Sequence, residues 1–410
     1  MDAPFTRRPL RALKPWVLVP LLVLIASPGV MPLTREQRAG TPVEALPARL
    51  TDQEFWNLST SMSEPNGFFR SENLVSNEHT FQYVVPALQQ SAKPGGVYLG
   101  VAPDQNFTYM LATRPAIAFI VDIRRGNLLE HMMYKALIEL SVDRAEFLSR
   151  LFARKRPANV GPRSSVADLF RAFDQVSTTE GLYRQNLNDI ETQLTKRHGF
   201  ALSAEDLQQI EGIYFSFFWD GPNIRYSSFP AGAGSRGFVG RSGGFGGNFP
   251  SYEELMLQTD MEGVNRSYLA NEESFKWLKA FEEKNLIVPV VGDFAGPKAL
   301  RAVGRYIRDH GSVVSAYYVS NVEQYLFQDG LFDEFARNVA TLPLDEKSTF
   351  IRSVSTRFGY GGGGIGPDGR ASALDPIRNF VREFLAGKIN TYFDVNARSK
   401  LPPVAKSANQ

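Results

Sequence analysis

Short, almost wholly apolar runs alternate along this chain with longer stretches whose apolar residues recur at helical spacing. Val97–Val101, Ala116–Asp122 (AIAFIVD), Leu286–Asp293 (LIVPVVGD) and Val313–Ser320 (VVSAYYVS) are the apolar runs. Each is short and apolar nearly throughout, as in parallel strands buried on both faces. Thr51 with Glu54 three positions on forms a capping-box pattern and predicts a helix over TDQEFWNLSTSMS. Further helices are predicted over Phe81–Gln90, Asp104–Ala112, Leu128–Arg154, Tyr268–Glu283 and Val322–Phe327. Another starts near Pro297, runs to about His310 and is stopped by Gly311. Residues 155–217 are mostly helical and too long for a simple crossover, so they read as an insertion. The alternation predicts one doubly wound, Rossmann-like α/β domain over residues 49–400. Two glycine-rich segments, 230–250 and 358–370, read as loops within it.

The N-terminus follows a different pattern. Arg7, Arg8, Arg11 and Lys14 precede the apolar run WVLVPLLVLIAS. A basic segment before about a dozen apolar residues is the pattern of a secretory signal. Left uncut, the run extends to about Leu33 and reaches the length of a membrane anchor. Residues 1–33 are thus read as a signal peptide or anchor, and 34–48 as a linker. Either reading predicts a protein of the periplasm or cell envelope, exported or held at the inner membrane.

Composition removes several chemistries. The chain has no cysteine, which excludes disulfides, thiol nucleophiles, thiolate metal sites and thioether lipid attachment. Its four histidines form no HExxH or HxH pattern, so no histidine-rich zinc site is expected. A net charge of +2 builds no field for nucleic acid.

Candidate chemistry gathers where the apolar runs end. In a doubly wound sheet, ligands sit beyond the carboxyl ends of the strands at the topological switch. The first run is followed by Gly100, Ala102, Pro103, Asp104, Gln105 and Asn106, the second ends on Asp122, and the third on Gly292-Asp293. Glycine at a strand end permits close backbone approach to a ligand. A helix starting just beyond it offers free N–H groups. Asp122 lies 22 positions after Gly100, near the spacing from glycine to ribose-binding acid in dinucleotide folds. GVAP, however, replaces GxGxxG, and Asp104 would repel a diphosphate at that helix start. A nucleoside without phosphates, such as S-adenosylmethionine, tolerates these changes better. Its ammonium would meet Asp104.

The segments YLGVAPDQNFTYM, AFIVDIRRGNLLEHMMYKALIELSVDRAEFLSRLF and PVVGDFAGPKALRAVGRYIRDHGSVVSAYYVSNVEQYL resemble an uncharacterised bacterial family that includes candidate spirochaete lipoproteins. The resemblance runs from about Ala48 to Phe350 and implies a core like that of Rossmann-like, S-adenosylmethionine-dependent methyltransferases. By that resemblance Gly100 and Asp104 fall in the first methyltransferase motif and Asp122 at the ribose-binding acid. Asp293 falls after the fourth strand of the sheet, where substrate or catalytic groups sit. Relatives carry glycine at the position of Ala102. The resemblance implies a fold and a pocket, and names no reaction.

Other segments add candidates. Ser71, Asn73, Ser76 and Asn77, in the loop before the first strand, are placed to fold over a cofactor; alternatively they cap the helix at Phe81. FSFFWDGPNIRYSS offers Asp220 as a base and Tyr226 as a positioning group, or an aromatic core ending in a turn. His131 reads as a surface or cap residue of its helix. Two functions therefore stay open: a methyltransferase-like enzyme using S-adenosylmethionine, with Asp293 or Asp220 near the acceptor, and an envelope binding or structural protein that keeps the fold without activity.

Overall fold

The computed structural model describes residues 44–226, 228, 249–355, 366–367 and 369–402. The proposed signal, residues 34–43 of the linker, and most of both glycine-rich loops lie outside the described residues. Six strands form one sheet: β1 (Val97–Gly100), β2 (Ile117–Asp122), β3 (Ile287–Val291), β4 (Val314–Ser320), β5 (Leu344–Ser355) and β6 (Arg370–Pro376). Their order is β3-β2-β1-β4-β5-β6. All neighbouring pairs are parallel except β5 with β6. This is a mixed α/β architecture compatible with a Rossmann-like fold. Every residue of β1, β2 and β3 is buried, which is why their sequences show no polar alternation.

The helices flank this sheet. Before it come α1 (Asp52–Met62) and α2 (Val85–Ser91), and between the first strands lies α3 (Gln105–Thr113). After β2 come α4 (Arg125–Leu140), α5 (Arg144–Leu151), α6 (Val166–Asp174), α7 (Glu180–Thr192), α8 (Ala204–Asp220), α9 (Tyr252–Leu257) and α10 (Glu272–Glu282). The remainder are α11 (Ala299–Asp309), α12 (Val322–Gln328), α13 (Phe332–Ala340), α14 (Ile377–Leu385) and α15 (Tyr392–Arg398). The capping box at Thr51 and Glu54 is formed, with both reciprocal hydrogen bonds. The single helix expected over Leu128–Arg154 is instead two. Asp143 accepts from the Glu146 N–H and starts α5 as a fresh N-cap, so the chain turns at Ser141–Asp143. Residues 155–217 carry α6, α7 and most of α8, as a helical insertion would.

Val43–Gln410 makes one compact unit. Leu46 packs against its core and Leu50 is buried in it, so the fold takes in the end of the segment read as linker. No helix among the described residues is long and apolar enough to cross a membrane.

Candidate functional site

The strand order reverses between β1 and β4, and a cleft opens beyond the carboxyl ends of the strands there. Its cavity volume is about 190 Å³. Each strand end contributes: Val101–Pro103 after β1, Asp122–Arg124 after β2, Gly292–Phe294 after β3, and Ser320–Asn321 at the end of β4. The loop before the first strand supplies Asn73, Ser76 and Asn77, and Tyr226 also lines the cleft. Tyr325 of α12 completes an aromatic wall, with Phe69 packed edge-on against it at 5.2 Å.

Asp122 lies at the cleft and is held by its own turn. Its Oδ1 accepts from the Arg124 backbone N–H at 2.9 Å and from Arg124 Nε at 3.2 Å. Its Oδ2 has only a 3.4 Å contact from Arg124 Nη2. Arg124 is buried, which opposes its charge, but Asp122, Glu130 and Glu72 together hold its pKa above the ordinary value. Its guanidinium also donates to the carbonyl of Glu72 and so pins the loop before the first strand. Asp293 Oδ1 accepts from the Ala295 N–H at 2.9 Å, turning the chain toward α11. Asp293 follows β3, the outermost strand on its side of the sheet, whereas the resemblance placed it after the fourth strand.

Two polar atoms of the cleft stand out. The buried Asn73 Oδ1 and Asn321 Nδ2 have no hydrogen-bond partner among the described residues. Buried amides are rarely left unpaired, so this acceptor and this donor each call for a water or a bound group. Backbone strain collects at the same place. Asn73 (φ 51°), Ala102 (φ 64°) and Ser320 (φ 51°) all line the cleft in the left-handed region. Ala102→Gly is expected to raise stability by about 0.5–1 kcal/mol, because glycine adopts this φ without a Cβ clash. Urea unfolding of the two proteins checks this; an unchanged or lower midpoint contradicts it.

The rest of the first turn does not face the cleft. Gly100 does not bring the backbone to a ligand; a Cβ there would lie 1.9 Å from Asn106 Oδ1. Asn106 is a fully buried staple. Its amide nitrogen donates to the carbonyls of Val101, Ala102 and Pro103, and its oxygen accepts from Tyr98 Oη at 2.8 Å. Gln105 is also buried, linking Ser76 Oγ to Glu78 and Tyr109. Glu78 in turn accepts from Tyr318 Oη and Ser320 Oγ, so this network ties the loop over the cleft to the end of β4. Asp104 is 1% exposed and accepts from Tyr268 Oη at 2.9 Å. It cannot meet a ligand's ammonium in the cleft, and burial pushes its pKa up to about 7. Asp220 ends α8 and does not line the cleft, so the base role expected of it finds no support in its position.

His131 is not a surface residue. It is 2% exposed, and its Nε2 donates to the Ala102 carbonyl at 2.9 Å. A carbonyl can only accept, which sets the tautomer and leaves Nδ1 bare, without a partner among the described residues. Burial lowers its pKa to about 4, so the ring stays neutral and braces the strained turn. On the same face of α4, Asn127, Glu130 and Tyr134 carry buried polar atoms without partners among the described residues. The spacing 127, 130, 131, 134 was available in the sequence, but the stretch reads there as an ordinary helix. Aromatic neighbours such as Phe107 and Phe217 give no warning that its polar residues point inward.

The family described as Domain of unknown function (DUF7790) matches residues 73–202 and 249–371. The match takes in β1 to β5 and nearly all of the cleft lining, with Phe68, Phe69 and Tyr226 outside it. No curated protein matches the chain.

Proposed function

For a chain that belongs to this family of unknown function, we propose that the cleft binds a nucleoside-type ligand with a cationic centre, S-adenosylmethionine being the first candidate. The observation that carries this reading is the gathering, in one cleft at the switch point, of Asp122 with the unpartnered Asn73 Oδ1 and Asn321 Nδ2. Asp122 Oδ2 is the oxygen left to accept from a ribose hydroxyl, and the two amides suit the donor and acceptor atoms of a base edge. Asp122, Asp293 and Asp329 line the cleft against Arg124, whose charge is already paired, so a positive ligand is favoured over a phosphate. The same layout supports a doubly wound, methyltransferase-like reading of the sheet. When bound, such a ligand supplies a methyl group on a positively charged sulfur. The chain's own contribution is orientation, with Asp293 placed near an acceptor.

Titration calorimetry with S-adenosylmethionine and S-adenosylhomocysteine tests the reading. Saturable heat is expected, weakened at least ~tenfold by Asp122→Ala and unaffected by Asp333→Ala on α13. Absence of heat at about millimolar ligand, with the protein shown to be folded, sinks it.

A binding role without turnover is the second reading. It is favoured by Ala102, which holds a left-handed conformation where glycine is unstrained, and by Asp220 standing outside the cleft. The basic and apolar N-terminal segment supports an exported or inner-membrane-anchored location for either role. A C-terminal reporter active only in the cytoplasm would oppose that location.

A further inference from the structure

A second cavity lies between α2, α3 and the start of α10. Its volume is about 190 Å³, and its lining includes Gln89, Thr108, Arg114, Arg266, Asn271 and Ser274. Two guanidinium groups border it, and no carboxylate does. Arg266 is held in place by Asp260, whose Oδ2 accepts from its Nε at 2.7 Å. Its Nη2 lies 4.0 Å from Glu262 Oε2, beyond hydrogen-bonding reach, so Nη1 and Nη2 keep donors for a further acceptor. Arg114 is exposed and has no ion pair or side-chain hydrogen bond among the described residues. Its guanidinium lies 4.6 Å from the centre of the Trp277 ring, which holds the side chain at the cavity mouth. Partial burial already lowers its pKa. Asn271 caps α10 beside the cavity, where Glu272 and Glu273 of the first turn offset the positive end of that helix.

We propose that this cavity is a binding site for a small oxyanion of the phosphate type, clamped between Arg114 and Arg266. Planar, fully ionised guanidinium groups match the paired oxygens of such an anion, and the polar rim of Gln89, Asn271 and Ser274 supplies further hydrogen-bonding groups. The cavity shares no lining residue with the cleft at the strand ends, so the assignment does not depend on a nucleoside ligand there.

Trp277 provides the readout. Titration with inorganic phosphate at constant ionic strength is expected to change tryptophan fluorescence saturably as Arg114 shifts from the indole toward the anion. Trp277→Phe should abolish the optical signal while calorimetric phosphate binding persists. Arg114→Gln should weaken binding by at least ~tenfold, with an unchanged melting temperature showing that the fold is intact. A parallel titration with acetate distinguishes a carboxylate site; acetate binding as tightly as phosphate would overturn the assignment. So would the lack of saturable binding up to about 20 mM phosphate, or binding that Arg114→Gln leaves unaltered.

Discussion

Asp104→Asn is expected to leave stability almost unchanged near pH 4 and to raise it progressively toward about pH 8, by up to roughly 4 kcal/mol. Asp104 is enclosed by Tyr268, Tyr252 and Tyr134, and its pKa moves from 3.8 to about 7 because burial disfavours the charged form. A pKa that is higher in the folded than in the unfolded state means that folding takes up a proton. The stabilisation is therefore complete below about pH 3.8 and is lost as pH rises to and through about 7. Asparagine still accepts from Tyr268 and never ionises. Glu130, fully buried and close enough to repel Asp104, adds to the cost of charging the site. Urea unfolding of both proteins across this range is the measurement. Parallel stability profiles for the two would show that Asp104 is not the titrating group.

Arg352→Met is expected to destabilise the fold by about 3–5 kcal/mol, because it leaves the buried Glu323 without a cation and Asp375 with Arg398 alone. Arg352 is 1% exposed and sits between Glu323 and Asp375, with contacts of 2.6 Å to each. Its guanidinium also stacks 4.3 Å from the Phe350 ring, so the planar fork is used on its face as well as its edges. Burial works against the charge, but the two carboxylates more than compensate and hold its pKa above the ordinary value. Glu323 opens α12, which walls the cleft with Val322, Tyr325 and Leu326. Losing Arg352 should therefore loosen that wall as well as lower the denaturation midpoint. Addition of Glu323→Gln should recover part of the loss, since the stranded charge is then removed, whereas Asp375 keeps its pair with Arg398. No recovery in the double variant would indicate that packing against Phe350, and not charge, sets the cost.

Four of the six strands were legible in the sequence because burial on both faces leaves a continuous apolar run, as in AIAFIVD and VVSAYYVS; β5 and β6, with partly exposed polar residues, were not located. The caps were legible where both partners lie within four residues, as at Thr51 and Glu54. The break between α4 and α5 was also local, since Asp143 is a good N-cap, but helical spacing runs through it and hides it. The position of the cleft followed from strand order, and Asn73, Asp122, Asp293 and Tyr226 do line it.

Spacing could not tell which polar residues of the first turn face a ligand. Gly100, Asp104, Gln105 and Asn106 looked like one binding turn, yet all four serve the interior. Their partners, Tyr98, Tyr268 and Glu78, come from β1 and from segments up to 164 positions away. The sequence alone determines where the backbone is extended, helical or turned, because those preferences act between near neighbours. Only the tertiary structure decides which carboxylates are sealed, which amides lack partners and where Arg114 finds its indole, because burial and hydrogen bonding are settled by residues distant in the chain.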